Sequence, residues 1–207
     1  MVSRLASSTI IENIKDMRKR GLASLAYFYC DFREDKKRDL RGLLSSLLVQ
    51  LCFQSDPYCQ ILSRLYSEHS NGLHYPSDDA LLKCIKSILE VRGQAPVYLI
   101  LDGLDECSNA SAMPSPREKL LMVLKDLIDS RIPTLHLCVT SRLEIDIKAA
   151  LEPLAFHTVS LHDEKGQKED INDYIRSVVN TDPNMRKWKA ADKKLVVDVL
   201  IKKSDGM

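Results

Sequence analysis

A chain of 207 residues with a formal net charge of +1 has no overall electrostatic field that would attract nucleic acid or an anionic membrane. Hydrophobic residues make up 44% of it and charged residues 29%, as is typical of a globular protein with one large domain or one and a half. No apolar run approaches the roughly 18 residues of a membrane span, and the N-terminus lacks the apolar core of a secretory signal. We therefore expect a cytoplasmic protein that binds neither nucleic acid nor membrane.

Local patterns divide the chain into helices and strands. Amphipathic spacing predicts the helices, and short apolar runs predict the strands. Asp39 and Ser77 can cap the helices that follow them, and Pro57 and Pro116 can each begin a helix. In chain order the predicted elements are a helix at 5–20, a strand at 22–32, helices at 39–54, 57–69 and 80–91, a strand at 97–101, a helix at 116–128, a strand at 134–139, a helix at 144–151, a possible strand at 157–161 and helices at 168–179 and 190–203.

This order of elements predicts the fold class. Strands separated by helices indicate a mostly parallel sheet in a three-layer α/β domain. The charged, glycine-containing connection at 163–166 is the best place for a domain boundary. We therefore divide the chain into 1–162 and 163–207.

The strand at 97–101 runs into a cluster of acids. Its five apolar residues suit a central strand covered on both faces. Asp102 follows directly, and Asp105 and Glu106 come three and four residues later. Like charges this close disfavour folding unless a cation or a proton compensates them, and Mg²⁺ is a hard ion that one or two carboxylates can hold. The pattern predicts a Mg²⁺ site at Asp102, and its alternative is a buried strand that ends in an acidic, solvated turn.

Polar residues also follow the other predicted strands. The strand at 134–139 ends in Thr140-Ser141-Arg142, and the strand at 22–32 contains Asp31 near its end. Because parallel strands end at the same edge of a sheet, where α/β folds bind ligands, these residues can reach the same ligand as the acids. The alternatives are an arginine that caps or salt-bridges the next helix, and an Asp31 that bonds its own backbone in a turn.

The cysteines predict no covalent framework. They include no Cys-x-x-Cys pair, and most lie among apolar neighbours, as reduced and buried thiols of an intracellular protein do. The five histidines are scattered, and none is spaced from a Cys or Glu as zinc ligands are. We expect neither a disulfide framework nor a zinc site. The six cysteines are Cys30, Cys52, Cys59, Cys84, Cys107 and Cys138.

Four sequence blocks resemble, in their order, the NACHT class of signal-transduction NTPases, also called STAND NTPases. The closest resemblance is to the nephrocystin-like N-terminal domain of large fungal receptor-type proteins. The blocks are YFYCDFRED with LRGLLSSLLVQL, then VYLILDGLDEC, then LHLCVTSR, then HTVSLHDEKGQKEDINDYI. Within them, VYLILDGLDEC resembles an extended Walker B element. The resemblance implies a three-layer P-loop NTPase-like core at 1–162 and the start of a helical subdomain at 163–207.

The resemblance also implies roles for individual residues. Asp102 would hold Mg²⁺ through a bound water, and Asp105 or Glu106 would orient the attacking water. Arg142 matches the sensor arginine that reads the γ-phosphate and stabilises charge in the transition state. Ser141, beside it, would belong to the nucleotide-binding residues.

The chain departs from the family pattern where phosphates would bind. None of its seven glycines begins a G-x-x-x-x-G-K-[ST] loop, and the strand that would carry this loop is missing. In the family the loop precedes a helix that resembles RLASSTIIENI, so Val2 or Ser3 stands where its lysine belongs. The KKSDGM pattern continues in the family into further helices. We therefore expect a fragment of a larger protein or a shortened gene product.

Two functions follow from the resemblance. One is a molecular switch that binds Mg²⁺ with ATP or GTP and is flanked by effector and repeat domains of a parent protein. The other is a non-catalytic interaction or scaffold module that binds nucleotide weakly at most, whose unpaired sheet edge favours self-association. A metal-dependent nuclease or phosphatase is less favoured, because no convincing set of further ligands accompanies Asp102.

Overall fold

The computed structural model describes residues 2–31, 39–109, 113–159 and 165–204. The strands in these ranges are β1 (Ser24–Tyr29), β2 (Val97–Asp102) and β3 (Leu135–Val139). The α-helices are α1 (Val2–Lys19), α2 (Leu40–Cys52), α3 (Asp56–Glu68), α4 (Asp78–Leu89), α5 (Pro116–Asp129), α6 (Ile145–Leu151), α7 (Lys165–Thr181) and α8 (Ala190–Ser204). Alternating helices and parallel strands confirm the predicted α/β class, and the P-loop NTPase-like assignment stays a prediction.

Capping residues begin the helices as predicted. The carboxylate of Asp39 accepts the N–H of Gly42 at 2.7 Å before α2, and the hydroxyl of Ser77 accepts the N–H of Ala80 at 3.2 Å before α4. Pro116 is the first residue of α5. These contacts satisfy backbone donors that a helix cannot pair by itself.

The sheet has the order β1-β2-β3, and both pairs of neighbours are parallel. Tyr29 is opposite Asp102 in the first pair, and Leu101 is opposite Val139 in the second. The residues that follow the three strands therefore meet at one edge of the sheet, which is the edge where α/β folds bind ligands.

Helices cover both faces of this small sheet. On one face, α1 packs Ile11 and Ile14 against Leu25 and Ile100 of β1 and β2. On the other face, a larger core of mostly leucine and isoleucine side chains joins the strands to α2, α3, α4 and α5. Burial on both sides explains why β2 is an uninterrupted apolar run rather than an alternating one.

Two glutamine side chains close the outer edge of β1. The amide of Gln50 accepts the N–H of Tyr27 at 3.1 Å and donates to its carbonyl at 2.7 Å. One helical turn later, Gln54 binds Leu25 in the same two ways, at 2.9 and 2.6 Å. Both glutamines belong to α2 or the turn after it, so the helix supplies the hydrogen bonds that a neighbouring strand would otherwise make.

Two expectations need correction. Residues 157–159 are not in a strand, so the strand predicted at 157–161 is wrong there, and its last two residues lie outside the described ranges. All six thiols are free as expected, but Cys59 is exposed and Cys52 and Cys138 are half-buried rather than buried. Cys59 lies on α3, where its apolar neighbours point inward and its own side chain does not.

The chain divides into two compact units, Met1–Phe156 and His157–Met207. The first contains the sheet and α1 to α6. In the second, α7 packs against α8, and Val179 and Val197 are buried. The domain boundary predicted between 162 and 163 stays a prediction. None of the described helices combines the length and apolarity that crossing a bilayer requires.

Candidate functional site

Asp102 is the buried centre of the candidate site. It ends β2, and only 2% of its surface is exposed. Its Oδ1 accepts a hydrogen bond from Ser7 Oγ of α1 at 2.8 Å and another from Thr140 Oγ1 at 2.6 Å. Burying a carboxylate is costly unless it is hydrogen-bonded, and the two hydroxyls offset part of that cost. One carboxylate oxygen thus ties together β2, α1 and the end of β3.

A glycine turn follows Asp102. Gly103 has a φ of +73°, a left-handed conformation that glycine adopts without strain. Its N–H donates to Thr140 Oγ1 at 3.0 Å, so the Thr140 hydroxyl accepts from Gly103 and donates to Asp102. A Cβ atom on Gly103 would lie 3.6 Å from both the carbonyl of Cys30 and Oε1 of Glu106. The half-buried side chain of Glu106 therefore lies close to Gly103, at the end of β2.

Asp105 and Arg142 form an ion pair at the rim of the site. Asp105 Oδ1 accepts the backbone N–H of Arg142 at 3.0 Å, and Oδ2 lies 3.2 Å from Arg142 Nε. The side chain of Asp105 is 10% exposed and that of Arg142 is 82% exposed. An ion pair with one partner in water adds little stability and can be broken at small cost. Arg142 thus does form a salt bridge, but with Asp105 instead of the following helix.

Arg117 binds the backbone of the acidic loop, residues 103–107, which carries Asp105 and Glu106. Its guanidinium is buried and donates to the carbonyl of Cys107 at 3.1 Å and to that of Asp105 at 2.6 Å. It also pairs with Asp146 of α6 at 3.2 Å. A basic side chain in the first turn of a helix interacts unfavourably with the helix dipole. Arg117 lies in the first turn of α5, so its contacts with Cys107, Asp105 and Asp146 must offset this cost.

Two thiols meet beside this loop. Cys30, directly after β1, and Cys107 are buried, and their Sγ atoms are 3.2 Å apart and share a hydrogen bond. The Cys30 thiol, together with the positive charge of Arg117, lowers the pKa of Cys107, although burial opposes this. The same hydrogen bond and burial raise the pKa of Cys30.

A comparison with protein families matches residues 4–142 to the family described as Nephrocystin 3, N-terminal. The chain belongs to the nephrocystin 3 N-terminal family. The comparisons with curated proteins and with solved structures gave no match. The matched range contains every site residue described above except Asp146. The match confirms the family predicted from the sequence, whereas the NACHT and Walker B assignments stay predictions.

The Mg²⁺ site predicted at Asp102 of this nephrocystin 3 N-terminal domain stays a prediction. Within the described ranges, no three His, Cys, Asp or Glu side chains are grouped so that they could hold a metal ion by themselves. Mg²⁺ does not need such a group, because it keeps several waters and takes phosphate oxygens as ligands. Asp102 would supply one carboxylate to such an ion, from the end of β2.

The structure brings together only some of the predicted residues. Asp102, Asp105 and Arg142 lie along one edge, whereas the Ser141 hydroxyl donates to the carbonyl of Arg142 at 2.8 Å and is exposed. Asp31 is half-buried just after β1. The roles predicted for all five residues, Asp102, Asp105, Glu106, Ser141 and Arg142, stay predictions.

Sequence reasoning missed two contributors to the site, Ser7 and Arg117. Thr140 was among the candidates because it is the first polar residue after a parallel strand, but its hydrogen bond to Asp102 was not predicted. Ser7 lies 95 residues from Asp102 in a helix whose serines all look alike in sequence. No local signal selects it.

Proposed function

We propose that this nephrocystin 3 N-terminal domain is a nucleotide-dependent molecular switch of the NACHT type, which binds Mg²⁺ together with ATP or GTP. The observation that carries this proposal is the buried carboxylate of Asp102, held by the hydroxyls of Ser7 and Thr140 at the carboxyl edge of the sheet. A carboxylate fixed in this way can orient the waters of a bound Mg²⁺, whose partners at such an edge are substrate phosphates.

The ion pair at the rim gives the switch a physical basis. The Arg142 side chain is exposed, and its ion-pair partner among the described residues is Asp105, so a phosphate group can replace the carboxylate as its partner. That exchange would bring the guanidinium to the γ-phosphate and release the carboxylate of Asp105 to bind water. Asp105 and Glu106 would then orient the attacking water, as expected for phosphoryl transfer.

A second function is supported by the sequence itself. Residues 1–207 contain no G-x-x-x-x-G-K-[ST] loop, and that loop provides most of the phosphate contacts in P-loop proteins. The alternative is therefore a non-catalytic module that binds other proteins or its own copies. On either proposal, we expect residues 1–207 by themselves to bind nucleotide weakly.

Calorimetric titration of the 207-residue chain with ATP and with GTP, each with Mg²⁺ and with EDTA, tests the switch. We expect binding that requires Mg²⁺ and that Asp102→Asn weakens about tenfold, which corresponds to about 1.4 kcal/mol. Asparagine keeps the shape of the side chain but removes its charge. A loss of Mg²⁺-dependent affinity can therefore be distinguished from a loss of packing.

Asp129→Asn is the matched control, because Asp129 is exposed at the end of α5, away from the sheet edge. It should bind nucleotide as the wild type does. If Asp102→Asn folds and binds Mg²⁺ nucleotide with unchanged affinity, the switch assignment is wrong. If the wild type binds no nucleotide but self-associates in sedimentation experiments, the interaction module is the better description.

A further inference from the structure

The two buried cysteines beside the acidic loop are close enough to react with each other. We propose that Cys30 and Cys107 are a redox-active pair that closes to a disulfide under oxidising conditions. Their Sγ atoms are 3.2 Å apart, and a disulfide requires about 2.05 Å, so closure needs a movement of about 1 Å. The proposal does not depend on nucleotide binding.

Backbone contacts hold both cysteines in place. The N–H of Cys30 donates to the carbonyl of Asp102 at 2.9 Å, which continues the β1–β2 register by one residue. The N–H of Cys107 donates to the carbonyl of Leu104 at 3.1 Å, and Arg117 donates to the carbonyl of Cys107. Because these hydrogen bonds fix the backbone at both cysteines, the two sulfur atoms stay close together while the chain is folded.

The reaction is a two-electron oxidation by a peroxide. One sulfur, as the thiolate, attacks a peroxide oxygen, which breaks the O–O bond and leaves a sulfenic acid and, after protonation, water. The second thiol attacks the sulfenic sulfur, forms the S–S bond and releases the second water. Two thiols and one hydrogen peroxide thus give one disulfide and two waters. A thiol reductant reverses the cross-link.

Formation of the disulfide would affect residues 103–107, the segment that carries Asp105 and Glu106. Cys107 ends the short turn that follows Asp102 and Gly103, and Cys30 lies directly after β1. A covalent bond between them would fix residues 103–107 to the neighbouring strand, and the pair would report redox state at this edge of the sheet. Transient disulfides of this kind are a recognised form of redox sensing.

Peptide mapping tests the pair directly. We expect the folded 207-residue chain, treated with hydrogen peroxide, blocked with N-ethylmaleimide and digested with trypsin without reductant, to yield peptides 21–33 and 93–117 as a linked product. This product should lack two hydrogen atoms relative to the separate peptides and should disappear after reduction. Cys107→Ser should abolish it, and Cys138→Ser, which changes a half-buried thiol elsewhere in the sheet, should not.

Peptide 42–64, which carries Cys52 and the exposed Cys59, shows whether the oxidant acted. If that peptide is oxidised while 21–33 and 93–117 are recovered unlinked, the proposal is overturned. Mixed linkages to other cysteines as the main products would overturn it as well.

Urea unfolding of the oxidised chain decides whether the link forms in the folded protein. The cysteines are separated by 77 positions, so a native cross-link would restrict the unfolded chain and raise the urea midpoint. Amide exchange at 103–107 should slow in parallel. A midpoint that does not rise would mean that the cross-link does not fit the folded geometry, and the proposal would fail. This measurement does not require the Cys107→Ser variant to fold.

Discussion

Single hydroxyl groups determine how the acidic edge of the sheet is held. Thr140 donates to Asp102 and accepts from Gly103, so one side chain fixes both the carboxylate and the turn that follows it. Ser7, on α1, donates a second hydrogen bond to the same oxygen. Asp102 therefore depends on neighbours that the acidic motif itself does not contain.

Replacing Thr140 by valine tests this dependence. Thr140→Val keeps the shape of the side chain but takes one donor from Asp102 and the acceptor from Gly103 N–H. Leaving such groups without partners costs about 1–3 kcal/mol each, so we expect the free energy of unfolding to fall by about 2 kcal/mol, measured by urea denaturation. Thr181→Val is the control, because the Thr181 hydroxyl donates to Ser177 on an exposed helix face. Equal effects of the two substitutions would contradict the role of Thr140.

At the scale of elements, α2 does more than cover one face of the sheet. Gln50 and Gln54 are one helical turn apart, and Tyr27 and Leu25 are two strand residues apart on the same edge. One turn of helix rises about 5.4 Å and two strand residues about 6.6 Å, so successive glutamines can bind alternate strand residues. The helix thereby protects an edge that could otherwise pair with another chain.

Gln50→Met should remove two hydrogen bonds from the outer edge of β1. Methionine matches the length of glutamine but leaves the N–H and carbonyl of Tyr27 without their side-chain partner. We expect a loss of about 1–3 kcal/mol in unfolding free energy and faster exchange of the Tyr27 amide, together with more light scattering from edge-to-edge association. Val49→Met, at the adjacent and exposed position of α2, should change none of these. An unchanged Tyr27 amide in Gln50→Met would show that the glutamine does not close the edge.

The elements could be predicted because their signals are local. Apolar periodicity and the caps at Asp39 and Ser77 placed the helices to within a few residues, and the apolar run before Asp102 placed β2. The strand predicted at 157–161 failed at its first three residues, since a short apolar alternation does not show whether a partner strand is available.

The candidate site was predictable only where residues follow strands. The acids after β2 and the polar residues after β3 were found because a parallel sheet brings strand ends to one edge. Ser7 and Arg117 act through side chains that reach across the fold, and their positions depend on how the helices pack. Such contacts leave no pattern in the nearby sequence.

At the scale of the whole molecule, apolar burial is unevenly distributed. The family match at 4–142 lies within the unit Met1–Phe156, which contains both hydrophobic clusters around the sheet. In the unit His157–Met207, Val179 and Val197 are the buried hydrophobic residues among those described. Few buried apolar side chains among the described residues of this unit favour a low free energy of unfolding for it, because little apolar burial offsets the entropy lost on folding.

The two units should therefore differ in autonomous stability. We expect residues 1–156 alone to unfold in urea as one cooperative transition, because their core surrounds the sheet on both faces. Residues 157–207 alone should show, by circular dichroism, partial helix that melts gradually. The full chain serves as the reference, and its main transition should coincide with that of residues 1–156. A cooperative transition in 157–207, or a broad one in 1–156, would show that stability is distributed differently from apolar burial.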